Sequence, residues 1–115
     1  MNVYVSFWLP EPALEALRQK HTVVSHQGEG LPSKEELTAR LKEADAFLCV
    51  GSRVDKEVLG QVGPRLKIGA NWGVGYNNID AGYAAAKGIM VTNTPDVLTE
   101  TTADLSWAIL MAVAR

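Results

Sequence analysis

Apolar positions along this chain alternate between short, dense runs and stripes spaced three and four apart. Residues 2–7, Asn-Val-Tyr-Val-Ser-Phe, read as a first strand. Pro10-Glu11-Pro12 then opens a helix whose Ala13, Leu14 and Leu17 share one face, both prolines being tolerable in a first turn. A second strand is expected at 21–25. Ser33 and Glu36 form a Ser-x-x-Glu capping box before a helix with Leu37, Leu41 and Ala44 on its apolar stripe. Residues 46–50 are continuously apolar, as in a strand covered on both faces. Asp55 opens a short helix bearing Val58, Leu59 and Val62, closed by Gly63-Pro64. A fourth strand follows at 66–70, a helix at about 81–87 and a fifth strand at 89–92. The remainder is a helix with Thr101 and Asp104 as its cap signature and an apolar run from Ala108 to Ala114.

Five β-α units predict one α/β domain over 1–115, a flavodoxin-like open parallel sheet in the order 2-1-3-4-5 with helices on both faces. Composition narrows what such a domain does. At 115 residues and 47% hydrophobic the chain can build a core, and a net charge of −2 gives no electrostatic case for nucleic acid or an anionic membrane. The single cysteine, Cys49, lies in an apolar run and reads as a buried, inert thiol. No basic segment with an apolar stretch opens the chain, and no apolar run approaches the ~20 residues that span a bilayer, so a soluble cytoplasmic domain is expected.

Ligands of such sheets bind beyond the carboxyl ends of the strands. Here those ends carry Phe7-Trp8-Leu9, Gly51-Ser52-Arg53, the segment 71–78 and Asn93-Thr94-Pro95. Gly73-Val74-Gly75-Tyr76-Asn77-Asn78 half resembles the dinucleotide fingerprint, with Asp96 about twenty residues on. The match fails physically: Asn78 stands where the third glycine would allow close helix–strand packing, and Asp96 falls past the tip of strand five. Two readings of the loop remain. Val74 and Gly75 offer free N–H groups to a small anion, or the glycines serve a tight turn at φ > 0. A phospho-accepting receiver would need acids after strands one and three, where Phe7-Trp8 and Val50-Gly51-Ser52 stand. His21 and His26 flank strand two with no partner at metal-ligand spacing, so no metal site is expected. Trp8, Trp72 and Trp107 suit a pocket wall or packing, and Arg53 suits an anion or a solvated pair with Asp55.

Leu66-Lys67-Ile68, the segment Asn71-x-Gly73-Val74-Gly75-Tyr76-x-Asn78-Ile79-Asp80, Gly88-Ile89-x-Val91-Thr92-Asn93-Thr94-Pro95 and Leu98-Thr99-Glu100-x-Thr102-Ala103-Asp104-Leu105 carry a family resemblance. Together they resemble the N-terminal, substrate-binding region of D-isomer-specific 2-hydroxyacid dehydrogenases, the glyoxylate/hydroxypyruvate reductase branch above all. Two departures stand out: Asn77 where the family usually has Asp, and Gly69 where a larger aliphatic is common, a change expected to loosen strand four. The resemblance implies an NAD- or NADP-dependent enzyme interconverting a small 2-oxo acid and a D-2-hydroxy acid. It implies that Val74 and Gly75 receive the substrate carboxylate through backbone N–H groups, that Gly51 and Ser52 line the same pocket, and that Thr102 contacts the nicotinamide side of the cofactor.

By the same resemblance the cofactor fingerprint and the catalytic Arg, Glu and His lie outside residues 1–115, and neither His21 nor His26 takes the catalytic place. The chain is therefore expected to carry no catalytic residue, to bind no cofactor alone, and to be inactive as an isolated substrate domain. The alternative is a standalone or engineered flavodoxin-like module with a structural, self-associating role. In either case the apolar helix is expected to bare one face, favouring a homodimer or helix-exchanged oligomer through 99–115.

Overall fold

A computed structural model describes all residues, 1–115. Strands β1 (Asn2–Val5), β2 (Thr22–Ser25), β3 (Ala46–Cys49), β4 (Ile68–Asn71) and β5 (Met90–Thr92) alternate with helices α1 (Glu11–Arg18), α2 (Lys34–Glu43), α3 (Lys56–Gln61), α4 (Ala81–Ala86) and α5 (Thr99–Val113). The five strands form one parallel sheet in the order β2-β1-β3-β4-β5. The predicted topology is observed.

Local chemistry explains the helix starts. Ser33 Oγ accepts from the Glu36 N–H, and Asp55 Oδ1 accepts from the Glu57 and Val58 N–H groups, so both caps satisfy otherwise orphaned donors. Helix α4 ends on Gly88 at φ 74, with the Gly88 and Ile89 N–H groups returning to the Ala85 and Ala84 carbonyls. The start of α5 departs from expectation. It begins at Thr99 after Leu98 with no side-chain cap, and the Thr101 hydroxyl donates back to the Leu98 carbonyl instead. Its entry is set by Asp96 at φ 65, a left-handed conformation that Asp tolerates better than most residues.

The two faces of the sheet are covered unequally. On one, Tyr4, Phe47 and Cys49 pack with Leu37 and Leu41 of α2, Val58 and Leu59 of α3 and Ala84 of α4. On the other, α1 alone contributes, setting Leu14 against Val3, Val5, Phe7 and Ala46. The register row Val3–Ala46–Ile68–Met90 records the consequence: Val3 is 8% exposed and Met90 63%. Beyond β3 this face has no helix over it.

Helix α5 does not supply that cover. All of its residues are exposed, including Leu105, Trp107, Ile109, Leu110 and Met111, so it is bared on every side rather than on one face as expected. Fifteen residues at about 1.5 Å each make α5 about 22 Å long, in a molecule measuring 55 × 32 × 24 Å.

The expected loosening at Gly69 does not occur. Gly69 pairs with Phe47 across the β3–β4 ladder, and a β-carbon on Gly69 would collide with the Phe47 ring. The missing side chain is replaced by an aromatic one from the neighbouring strand.

Candidate functional site

The loop after β4 is held by its carbonyl oxygens. Thr94 N–H donates to the Gly73 carbonyl at 3.0 Å, Asn93 Nδ2 to the Val74 carbonyl at 2.8 Å and Asn71 Nδ2 to the Gly75 carbonyl at 2.8 Å. No N–H of Val74, Gly75 or Tyr76 has a protein acceptor, and all three residues are exposed. In a trans peptide the C=O and N–H point in opposite directions. Anchoring the carbonyls inward therefore turns the amides outward.

The tight-turn alternative fails on the backbone. Gly73 and Gly75 are not among the positive-φ residues, which are Gly30, Gly51, Gly88 and Asp96. Gly73 has a packing reason instead: a β-carbon would press on the Asn71 side-chain amide at 3.2 Å. Gly75 has none within the chain, since a β-carbon there would meet nothing within 4 Å.

A buried polar network supports the loop from below. Asn78 Nδ2 donates to Asn71 Oδ1 and to the Ser52 carbonyl, both at 3.1 Å, and the Cys49 thiol reaches Asn71 Oδ1 at 3.5 Å. Burial pushes the Cys49 thiol up to about 12, so it stays protonated and unreactive, as its apolar setting predicts. Val54 and Ile79 form an isolated parallel bridge, with the Val54 N–H on the Asn78 carbonyl and the Asp80 N–H on the Val54 carbonyl.

Each residue singled out from sequence has a definite place. Val74 and Thr102 come together: with Leu98, Thr99, Ala103 and Ser106 they line a cavity of about 510 Å³. The Thr102 hydroxyl has no protein partner, while its carbonyl accepts from Ser106 Oγ. Gly51 is exposed at φ 70 near Leu31, and neither it nor Ser52 is among the residues lining that cavity. Ser52 is turned inward, its hydroxyl 2.7 Å from that of Ser6 and 2% of the residue exposed, so its side chain faces the core. Phe7 and Trp72 pack at 5.3 Å between ring centroids, whereas Trp8 and Trp107 are exposed. Arg53 is 85% exposed and lies 3.6 Å from Asp55, which also pairs with Lys34 and caps α3. His26 bonds Glu36 at 2.9 Å, and no three His, Cys, Asp or Glu side chains gather as a metal site. Sequence reading missed Asn71, Asn78 and Asn93 as loop anchors. Their signal was an asparagine at the end of each of two adjacent strands, Asn71 and Asn93, with Asn78 closing the loop that holds the glycine pair.

The family model for the D-isomer specific 2-hydroxyacid dehydrogenase catalytic domain matches residues 3–115. The chain belongs to that family. A glyoxylate reductase of Thermococcus kodakarensis is 42% identical over 99% of this chain and 34% of its own length. A crystal structure of a Thermus thermophilus protein superposes with a TM-score of 0.87 at 43% identity, covering 100% of this chain and 37% of that one. An NADPH-dependent glyoxylate/hydroxypyruvate reductase from Sinorhizobium meliloti, in complex with NADP and malonate, gives a TM-score of 0.74 at 32% identity over 96% of this chain and 33% of its own. The chain spans about a third of the length of these relatives.

The start of the helix that follows the glycine loop is capped by a carboxylate. After the glycine loop the next helix, α4, has only six residues, and the Asp80 carboxylate caps it by accepting from the Tyr83 N–H. A negative side chain already occupies the end that a phosphate would need.

Proposed function

We propose that residues 1–115 form the substrate side of a D-2-hydroxyacid dehydrogenase of the glyoxylate/hydroxypyruvate reductase kind, working in the cytoplasm on a small 2-oxo or D-2-hydroxy acid. The carrying observation is the loop at 73–76, whose carbonyls at Gly73, Val74 and Gly75 are anchored and whose Val74 and Gly75 amides are free. Two fixed N–H donors suit a carboxylate, because they orient the adjacent carbon without a mobile counter-charge. The N-terminal turn of α5 lines the same cavity, and the positive end of a helix favours an anion there.

The malonate held by the Sinorhizobium meliloti relative is a small dicarboxylate, in keeping with such a site. Its NADP supports NAD or NADP as the cofactor of the whole enzyme, which supplies the hydride; Thr102 is the residue of this chain that faces it. Asp80 and Asn78 bar the pyrophosphate from the glycine loop, and no His, Asp or Glu lines the cavity of Val74 and Thr102, so on this reading the chain alone binds no cofactor and turns over nothing. Titration of the ¹⁵N-labelled chain with glyoxylate tests the reading. The Val74 and Gly75 amides should shift first and saturate together; shifts confined to other residues would refute the assignment. Glyoxylate or hydroxypyruvate with NADH or NADPH should give no rate above buffer.

A second reading rests on α5, exposed on every side, and on the uncovered sheet face over β4 and β5. On that reading the chain is a structural module whose copies associate through residues 99–115.

A further inference from the structure

We propose that Asn93 and Asn71 are positioning residues of the glycine loop, and that Asn71 makes the Tyr76 N–H a third donor beside those of Val74 and Gly75. The inference rests on the carboxylate-loop reading above and adds how the loop is aimed. Each loop peptide has one fixed oxygen and one free N–H. Thr94 N–H fixes the Gly73 oxygen and so aims Val74 N–H; Asn93 fixes the Val74 oxygen and aims Gly75 N–H; Asn71 fixes the Gly75 oxygen and aims Tyr76 N–H. No cis peptide interrupts this relation.

The two asparagines do different work. Asn71 is 4% exposed and belongs to the network with Asn78 and Cys49, so its grip is tied to the sheet. Asn93 is half-buried at the end of β5 and reaches the loop from the other side with a single bond. A loop gripped from two adjacent strands holds its amides at a fixed spacing before any ligand arrives. Without Asn93 the Val74–Gly75 peptide is free to rotate, and the Gly75 amide loses its bearing.

The test uses the ¹⁵N-labelled chain, malonate as probe, and the variants Asn93→Ala, Asn93→Gln and, as a control on an exposed neighbour without side-chain hydrogen bonds, Asn77→Ala. Asn93→Ala should weaken malonate binding about tenfold, the scale of one charge-assisted hydrogen bond. Order parameters at 73–76 should fall from about 0.85 toward about 0.6 in that variant, with the thermal midpoint little changed. Asn93→Gln, which keeps the donor, should recover part of the affinity, and Asn77→Ala should bind as the parent does. Unchanged loop order in Asn93→Ala overturns the positioning role whatever malonate does. If the parent chain ignores malonate while Asn93→Ala still loosens the loop, the positioning stands and the carboxylate assignment falls. A parent titration that moves Val74 and Gly75 but leaves Tyr76 still removes the third donor.

Discussion

The phenyl ring of Phe47 occupies the space above Gly69 that a side chain on Gly69 would fill. The two are cross-strand partners on the more deeply covered face of the sheet, so strand four accepts glycine because strand three supplies the bulk. Gly69→Ala should therefore destabilise by about 1–3 kcal/mol through overpacking. Pairing it with Phe47→Leu should cost less than the sum of the two single changes, read from urea unfolding of all four chains. Strict additivity would mean that the contact carries no energy.

Gly75 is the opposite case. Its β-carbon would meet nothing and its φ is not positive, so Gly75→Ala should keep the fold and add up to about 1 kcal/mol of stability by restricting the unfolded chain. If the carboxylate reading holds, a methyl on the exposed loop crowds its ligand, and malonate affinity should drop. An alanine variant that binds as well as the parent would show that this loop is not the binding face.

Stability should fall in alkali for a stated reason. Burial raises the Cys49 thiol from 9.0 to about 12. Burial, with the Glu36 carboxylate nearby, raises the Tyr4 phenol from 10.0 to about 12. Both groups stay neutral in the fold where the unfolded chain would ionise. Their contribution is whole below about pH 9 and is lost as pH climbs to about 12, Cys49 alone giving a slope near 1.4 kcal/mol per pH unit. Urea unfolding at pH 8, 9.5 and 10.5 should show this decline, and Cys49→Ala should flatten it between pH 9 and 10. Iodoacetamide should label Cys49 in the native chain far more slowly than in urea.

The apolar surfaces left open should find each other. We expect α5 of one copy to cover the bared face of another, where Ile68, Ala70 and Met90 lie on β4 and β5. Each buried Leu or Ile is worth about 1.5–3 kcal/mol. Sedimentation should show association that grows with concentration and weakens on Leu110→Glu and equally on Met90→Lys. A clean monomer at high concentration would sink this expectation; sensitivity to Leu110→Glu alone would place helix against helix instead.

Much of this architecture is legible in the sequence because local signals agree with one another. Ser33 and Asp55 cap where their spacing says they should, Leu37, Leu41, Val58 and Leu59 are buried, and the β-α alternation yields the observed strand order. The entry to α5 misleads because its Thr-x-x-Asp signature competes with a left-handed Asp96, and backbone conformation at a non-glycine has little sequence signal. Gly69 misleads because its filler, Phe47, lies 22 positions away and meets it only through the register. At the site, Val74 and Gly75 stand out as a glycine-rich turn. The asparagines that aim them do not, because side-chain bonds from Asn71 and Asn93 to the loop's carbonyls depend on where two strands end in space.

The Val54–Ile79 bridge constrains how the loops on either side of it can change in length. It ties the connection after β3 to the connection after β4 at one point each, so a residue added before that point in either has to bulge outward between two pinned ends. An insertion between Asn71 and Ile79 that keeps the bridge must bulge, and such a bulge pulls on the bonds that hold the Gly73, Val74 and Gly75 carbonyls. The Gly28–Pro32 stretch carries no such stitch to a neighbouring connection. A change of length in the glycine loop should therefore unsettle two connections at once, where a change of one side chain for another leaves the stitch in place.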